Sequence, residues 1–422
     1  MLDPVQDNVR GISLQKAYSF LETRKPVPVI VAVIDGGIDT AHEDLKNVLW
    51  INKGEIAGNG IDDDHNGYVD DIHGWNFLGN KDGSNLTKDN SERTRIYYRF
   101  REKFENKEID TNALSFEDKW QYAEWKKAAE QMNISADEQF EVMMLEMTSK
   151  SLKKQDEVLR NEMQKEEFTR NDVEKFEPHT SKCKQAKMAY ITFLHLLNIE
   201  GDETNTNILK DLQEFIDGKK ASLNAKSAKP EDYRAEIIRD NYSDFKDCYY
   251  GNNDVMGSSA DHGTHVSGII AAQRNNETGI DGIANDVQIM MLRAVPDGDE
   301  YDKDIALAIR YAVDNGAKII NMSFGKSFSP DKHWVDEAIA YAESKDVLLV
   351  HAAGNESWNV DVTDNFPNAN LSFVHKEADN FINVGASGDE QIGDGKLIAD
   401  FSNYGAQTVD VFAPGVKIYS TM

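Results

Sequence analysis

Three short stretches of this 422-residue chain carry side chains suited to proton transfer and to stabilising negative charge. The first is Asp261-His262-Gly263-Thr264-His265-Val266-Ser267-Gly268, followed by Ile269, Ile270, Ala271 and Ala272. A histidine that takes and returns a proton is well placed at the mouth of a helix, with small residues beside it so that a substrate backbone can approach. Its unperturbed pKa of about 6.5 lies near working pH. Upstream, the apolar run Val29–Ile34 ends in Asp35-Gly36-Gly37-Ile38-Asp39, which puts a carboxylate at the C-terminal end of a buried strand, where open α/β sheets keep their chemistry. Downstream, Val347–Val350 runs into His351-Ala352-Ala353-Gly354-Asn355-Glu356 and places an amide at the end of another strand.

Taken singly these are an Asp-Gly turn, a core histidine and a strand-end asparagine. In this order they resemble the subtilisin-like serine peptidases, whose triad runs Asp, His, Ser along the chain. The resemblance implies that Asp35 orients the imidazole, that His262 is general base and then acid, and that Asn355 donates to the oxyanion; His265 is then a satisfied structural histidine. Thr40–Leu45 is similar to the family's turn after the Asp, and Ile319–Gly325 to its substrate-binding strand, with Ser323, Phe324 and Gly325 lining the cleft. Asn365-Phe366-Pro367 is similar to an aromatic-Pro step and predicts a cis bond before Pro367. Gly36 departs from the family's usual Ser or Thr, so a hydrogen bond to Asp35 is expected to be lost or replaced.

Phe401–Gly405 and Phe412–Gly415 are similar to segments that lead toward the nucleophile, yet no Gly-Thr-Ser occurs, and the given sequence stops at Tyr419-Ser420-Thr421-Met422. The expectation is a peptidase domain cut before its serine and inactive as it stands. The rival readings are a serine-less pseudopeptidase that binds extended peptides, and a calcium-dependent structural or adhesive module.

A second chemistry is written in Asn59–Asp71. Counting Asp62 as first, Asp64 is third, Asn66 fifth, Gly67 sixth and Tyr68 seventh, offering side-chain oxygens, a turn glycine and a backbone carbonyl to a hard cation. The twelfth residue is His73, so this is no EF-hand; Asp70 or Asp71 would close the shell around Ca2+. Resemblance alone implies a second calcium site from Asp44 and Asn276.

The elements that must position these groups alternate after the histidine helix: strand Val287–Val295, helix near Asp304–Val313, strand Ala317–Phe324, helix near Lys332–Ala342, then strands Val347–Ala352 and Phe381–Gly385. That pattern predicts an α/β fold, a mostly parallel subtilisin-like sheet with helices on both faces. A short helix is expected at Leu14–Leu21. Asp35 and His262 are 227 positions apart, and residues 91–245 read as a charged helical insertion in a core made of 1–90 and 246–422. Phrases such as Phe140–Met147 and Met188–Leu197 repeat apolar residues at three and four positions. Trp120 and Trp125 are expected to pack inside the insertion, which would shape the approach to the site.

Composition bounds the partners. A formal charge of −28 argues against nucleic acid and anionic membrane, leaving a protein or peptide substrate. Asp297–Glu300 beside the cleft would suit a basic side chain. Cys183 and Cys248 allow one bridge or two thiols. No apolar run is long enough to span a membrane, and no signal peptide is visible; secretion or a periplasmic location is implied only by the resemblance.

Overall fold

The computed structural model describes residues 3, 6, 9–132, 136–196, 199, 203–224, 229–258, 260–389 and 396–422. Leu197 of the expected helical phrase lies outside them. The chain divides into two compact units, Met1–Lys126 with Glu231–Met422, and Lys127–Pro230. In order, the elements are α1 Leu14–Leu21, β1 Val29–Asp35, β2 Gly74–Asn76, α2 Glu92–Phe104, α3 Phe116–Gln131, α4 Ala136–Met163, α5 Arg170–Lys175, α6 Ser181–Leu196, α7 Asn205–Asn224, α8 Tyr233–Ile237 and α9 Asp261–Ala271. They continue with β3 Val287–Arg293, α10 Asp302–Asp314, β4 Ile319–Met322, α11 Lys332–Ser344, β5 Leu348–Ala352, β6 Asn370–Leu371, β7 Lys376–Glu377, β8 Phe381–Ser387 and β9 Val411–Pro414.

The first unit holds a seven-stranded sheet in the order β2-β3-β1-β4-β5-β8-β9, and every pairing in it is parallel. Strands buried on both faces must be apolar at every position, which is why Val29–Ile34 reads as an unbroken run. Its alternation then splits the core. Ala32 and Ile34 join Met290, Leu292, Ile320, Leu349 and the inner faces of α10 and α11, whereas Val31 and Val33 join Ile289, Met291, Leu45, Leu49 and Ala271 of α9. Chain order reverses at β1, with β3 on one side and β4 on the other. Side chains at the C-terminal ends of β1, β4 and β5 therefore fall side by side along one edge, the usual place for a ligand in such a sheet.

The second unit packs α4 against α6 and α7 around Leu152, Leu159, Phe168, Tyr190, Leu194, Ile208 and Ile216. A buried Asn205 donates to Asp156 at 2.7 Å and accepts from the Phe168 amide at 2.9 Å, and Thr169 and Asp172 cap α5 reciprocally.

This unit is narrower than the expected insertion. Residues 91–126 and 231–245 belong to the first unit, which they join through buried ions. Lys326, the residue after Gly325, places Nζ 3.0 Å from Glu92, 2.8 Å from Asp302 and 2.7 Å from the Glu300 carbonyl. Arg95 grips Glu92 at 2.5 Å, and Arg99 forks onto Asp331. Burial would raise the Glu92 carboxyl, but Arg95 and Lys326 outweigh it and hold it at about 2. Trp120 also differs from expectation: its indole donates to the Ser329 carbonyl at 2.8 Å and its ring meets Phe366 and Phe373. Trp125 packs on Phe104 and donates to the Tyr97 carbonyl, again within the first unit. Asp299 and Glu300 serve the same anchorage. Asp299 caps the Glu92 amide at 2.7 Å and Glu300 is buried, so neither is offered to a substrate's basic side chain.

Removing one partner from a buried ion cluster leaves an uncompensated charge and costs about 3–5 kcal/mol. Glu92→Ala is thus expected to lower stability by about that amount in urea denaturation, and a loss under about 0.5 kcal/mol, the size of an ordinary surface change, would contradict the burial described.

Candidate active site

The site is built where β1 ends and α9 begins. Asp35 is buried, and His262, the second residue of α9, places Nδ1 2.9 Å from both Asp35 carboxylate oxygens. The histidine side chain is 63% exposed against 4% for the aspartate, so the pair has one anchored and one open member. With Nδ1 engaged, the opposite ring nitrogen, Nε2, is left for proton transfer. The hydrogen bond that Gly36 cannot make with a side chain is made by its backbone: the Gly36 amide donates to Asp35 Oδ1 at 2.7 Å. Two close approaches here each need a glycine. A Cβ at Gly263 would lie 2.1 Å from the Gly37 carbonyl oxygen, and one at Gly37, whose φ is 144°, would lie 2.1 Å from that of Met256. Thr264 fixes the same contact by accepting the Asp39 amide at 2.8 Å. His265 is satisfied but half-buried at the surface, its Nε2 3.2 Å from the Ile418 carbonyl.

Strands β4 and β5 bring the other residues to the same edge. β4 ends at Met322, two residues before the expected end, and Ser323, Phe324 and Gly325 run on beyond it; Lys326 then pairs with Phe366. Asn321 Nδ2 donates to Ser323 Oγ at 2.9 Å. Asn355 follows β5 by three residues with its side chain exposed. The bond between Phe366 and Pro367 is cis, as the aromatic-Pro step predicted. Asn365 binds the Ala352 and Ala353 carbonyls at 3.3 and 2.9 Å, tying that step to the strand that leads to Asn355.

The sequence matches the Subtilase family over residues 28–422, nearly its whole length. The chain belongs to the subtilase family. It is 39% identical over 180 residues to a thermophilic serine proteinase of Bacillus sp. (strain AK1), a stretch covering 42% of this chain and 39% of that protein. It is 37% identical over 174 residues to thermitase of Thermoactinomyces vulgaris, covering 41% and 56%. A crystal structure of a cold-adapted subtilisin-like serine proteinase aligns at 27% identity with a TM-score of 0.31, covering 42% of this chain and 56% of the other. The chain thus spans only about two fifths to just over half of the length of these relatives.

In this subtilase the acidic loop folds on itself. Carboxylate oxygens of Glu55, Asp62 and Asp64 lie within 4.8 Å of one another, about twice a Ca–O distance. Glu55 was not expected in the set; its signal, a lone acid seven residues before Asp62, is weak. Asp70 instead accepts the Asn59 and Gly60 amides at 3.1 and 2.8 Å. Asp71 accepts from Asn52, Asn66 and the Tyr311 hydroxyl, and burial pushes it up to about 6 against those hydrogen bonds. Asn66 Nδ2 also reaches Asp64, while its Oδ1 accepts the Tyr68 amide, so its side chain braces the loop. The Tyr68 ring is buried among Trp75, Phe77 and Tyr311. Asp44 and Asn276 do meet, at 2.6 Å from Nδ2 to Oδ1, and Asp44 Oδ2 also accepts the Ile280 amide at 2.9 Å.

Sequence reasoning missed two further residues. Buried Arg293, at the end of β3, donates to the Gly36 and Leu86 carbonyls and to Asn76, clamping the turn after Asp35. Only a charged residue closing an apolar strand could have pointed to it. His351, directly before Ala352, is buried and pushed down to about 4, hence neutral at ordinary pH.

The Asp35 hydrogen bond raises the His262 pKa above its ordinary value, and desolvation only partly opposes it. A raised histidine contributes stability that is present below about 6.5 and is lost as pH rises through the folded pKa. NMR titration should place His262 above 6.5, and Asp35→Asn should bring it back toward or below that value; a His262 pKa indifferent to Asp35→Asn would contradict the pairing.

Proposed function

We propose that the full protein is a serine endopeptidase whose triad is Asp35, His262 and a serine carried by chain beyond Met422. The observation that carries this reading is the Asp35–His262 pair, bound through Nδ1 and open at Nε2, on the sheet edge that also bears Asn355. Ser420 and Thr421 donate from their hydroxyls to the His265 and Thr264 carbonyls at 2.7 Å, so the last described residues lie along the histidine helix. A substrate peptide adds as an extended strand beside Ser323, Phe324 and Gly325. The serine oxygen attacks the scissile carbonyl carbon as His262 Nε2 takes its proton, and Asp35 stabilises the imidazolium. Asn355 Nδ2 donates to the resulting oxyanion. Collapse of the intermediate breaks the C–N bond, the amine leaves with the proton from His262, and water repeats the cycle to release the acid.

The reading frame beyond Met422 is expected to encode Gly-Thr-Ser-x-Ala. In that full-length protein His262→Ala should abolish turnover of a peptide anilide, and Asn355→Ala should lower kcat about 10²–10³-fold. No serine in the following segment, together with retained binding of extended peptides, would move the function to peptide capture without cleavage.

We further propose that Glu55, Asp62 and Asp64 hold Ca2+, with Asp44 and Asn276 a second candidate. Three carboxylates repel one another at this separation, an all-oxygen donor set suits a hard cation, and the Ca2+ would supply structural rigidity and no chemistry. Occupancy at 100 times Kd adds about 2.7 kcal/mol. Chelation should lower the Tm of the full-length protein, and Asp62→Asn with Asp64→Asn should remove most of that response; an unchanged response would assign calcium to other residues. No helix among the described residues is long and apolar enough to cross a membrane, and we take secretion or a periplasmic location, with a peptide or protein substrate, as the setting.

A further inference from the structure

Asn355 itself is exposed, so its position rests on the backbone of the turn that carries it. That turn is gripped by one side chain from a distant segment. Asn403 is fully buried, and its amide uses its entire hydrogen-bonding capacity on the residues either side of Asn355. Nδ2 donates to the Ala353 carbonyl at 2.8 Å and to Glu356 Oε2 at 2.7 Å; Oδ1 accepts the Glu356 amide at 3.0 Å and the Trp358 amide at 2.8 Å. The Asn403 backbone amide adds a bond to the Gly354 carbonyl at 2.9 Å. Glu356 Oε2, held by Asn403, in turn accepts the amide of Asn355 itself at 3.0 Å. The orientation of the Asn403 amide is fixed by its partners, because a flipped group would set NH2 against two N–H donors. The approach is close enough that Gly354, at φ 108°, has no room for a side chain: a Cβ there would lie 2.3 Å from Asn403 Nδ2.

A group that stabilises an oxyanion works only if its donor already stands about 2.7–3.1 Å from where the charge develops, and a misplacement of about 1 Å can cost about 100-fold in rate. We propose that Asn403 is the positioning residue of the oxyanion turn, holding the Asn355 donor in place through Ala353, Gly354, Glu356 and Trp358 without touching substrate. The inference rests on the peptidase reading above and on Asn355 as the oxyanion donor. It assigns Phe401–Gly405 a task of its own, distinct from leading the chain toward the nucleophile.

The test is a double-mutant cycle in the full-length enzyme with a peptide anilide it turns over. Asn403→Asp keeps the shape and both acceptances but turns a carboxylate toward the Ala353 carbonyl and Glu356. Asn403→Asp is expected to lower kcat about 10–100-fold with KM changed less than about twofold, and to weaken a peptide boronate inhibitor by a similar factor. In the Asn355→Ala background the same change should cost less than about twofold. If Asn403→Asp does not fold, Asn403→Ser is put through the same cycle. Equal losses with and without Asn355, or a rise in KM with kcat intact, overturn the positioning role while leaving the peptidase reading standing. A kcat indifferent to Asn355→Ala overturns this inference while leaving the peptidase reading standing; an inactive full-length protein overturns both.

Discussion

The contact between the end of β1 and the start of α9 is the constraint on which the site depends. Asp35 and His262 are 227 residues apart, yet must stand at hydrogen-bonding distance through both carboxylate oxygens. Two packed backbones can come this close only where no Cβ intervenes, and Gly263 occupies that point against the Gly37 carbonyl. Arg293 behind the Asp35 turn and Thr264 in front of it hold the approach. A buried carboxylate bound to an exposed imidazole then follows from position: the aspartate ends a core strand, whereas the histidine is at a helix mouth.

The parallel sheet extends that local contact into a site. Because β1, β4 and β5 are neighbours and run the same way, whatever follows each strand emerges on one edge. Asp35, Ser323–Gly325 and Asn355 are brought into line by topology, with no direct bond between them required. Each position is then fixed from behind by buried or half-buried polar groups. Lys326 anchors the end of the Ser323–Gly325 segment through Glu92, Asp302 and the Glu300 carbonyl. Asn365 holds the approach to Asn355, and Asn403 holds the turn itself. Such groups are stable in the interior only when every donor and acceptor is met, which makes them stiff supports.

The helical unit is separable in a way its entry and exit are not. Residues 127–230 have their own apolar core, but α2 and the start of α3 are bound to the sheet unit by buried ions and by the Trp120 indole. Lys and Glu in helical spacing look alike on a solvated surface and in a buried ion cluster, so composition marked residues 91–126 as part of the insertion when packing makes them part of the core. The same ambiguity placed Asp299 and Glu300 beside a cleft, whereas they anchor α2.

The sequence alone determined the parallel α/β architecture and the helices and strands after α9 other than β6, β7 and β9, and it carried the three motifs that the sheet brings to one edge, because each rests on short-range pattern: unbroken apolar runs make two-sided strands, and glycines with a small-residue helix start mark close approach. Tertiary structure decided which distant polar residues serve those motifs. Glu55 joining Asp62 and Asp64, Asp70 and Asp71 turning to amides and a tyrosine, Arg293 under Asp35 and Asn403 under Asn355 are all choices of partner made across folded chain. A carboxylate or an amide has the same local pattern whether it meets a metal, a backbone or solvent, and only the fold settles which of these lies within 3 Å of it.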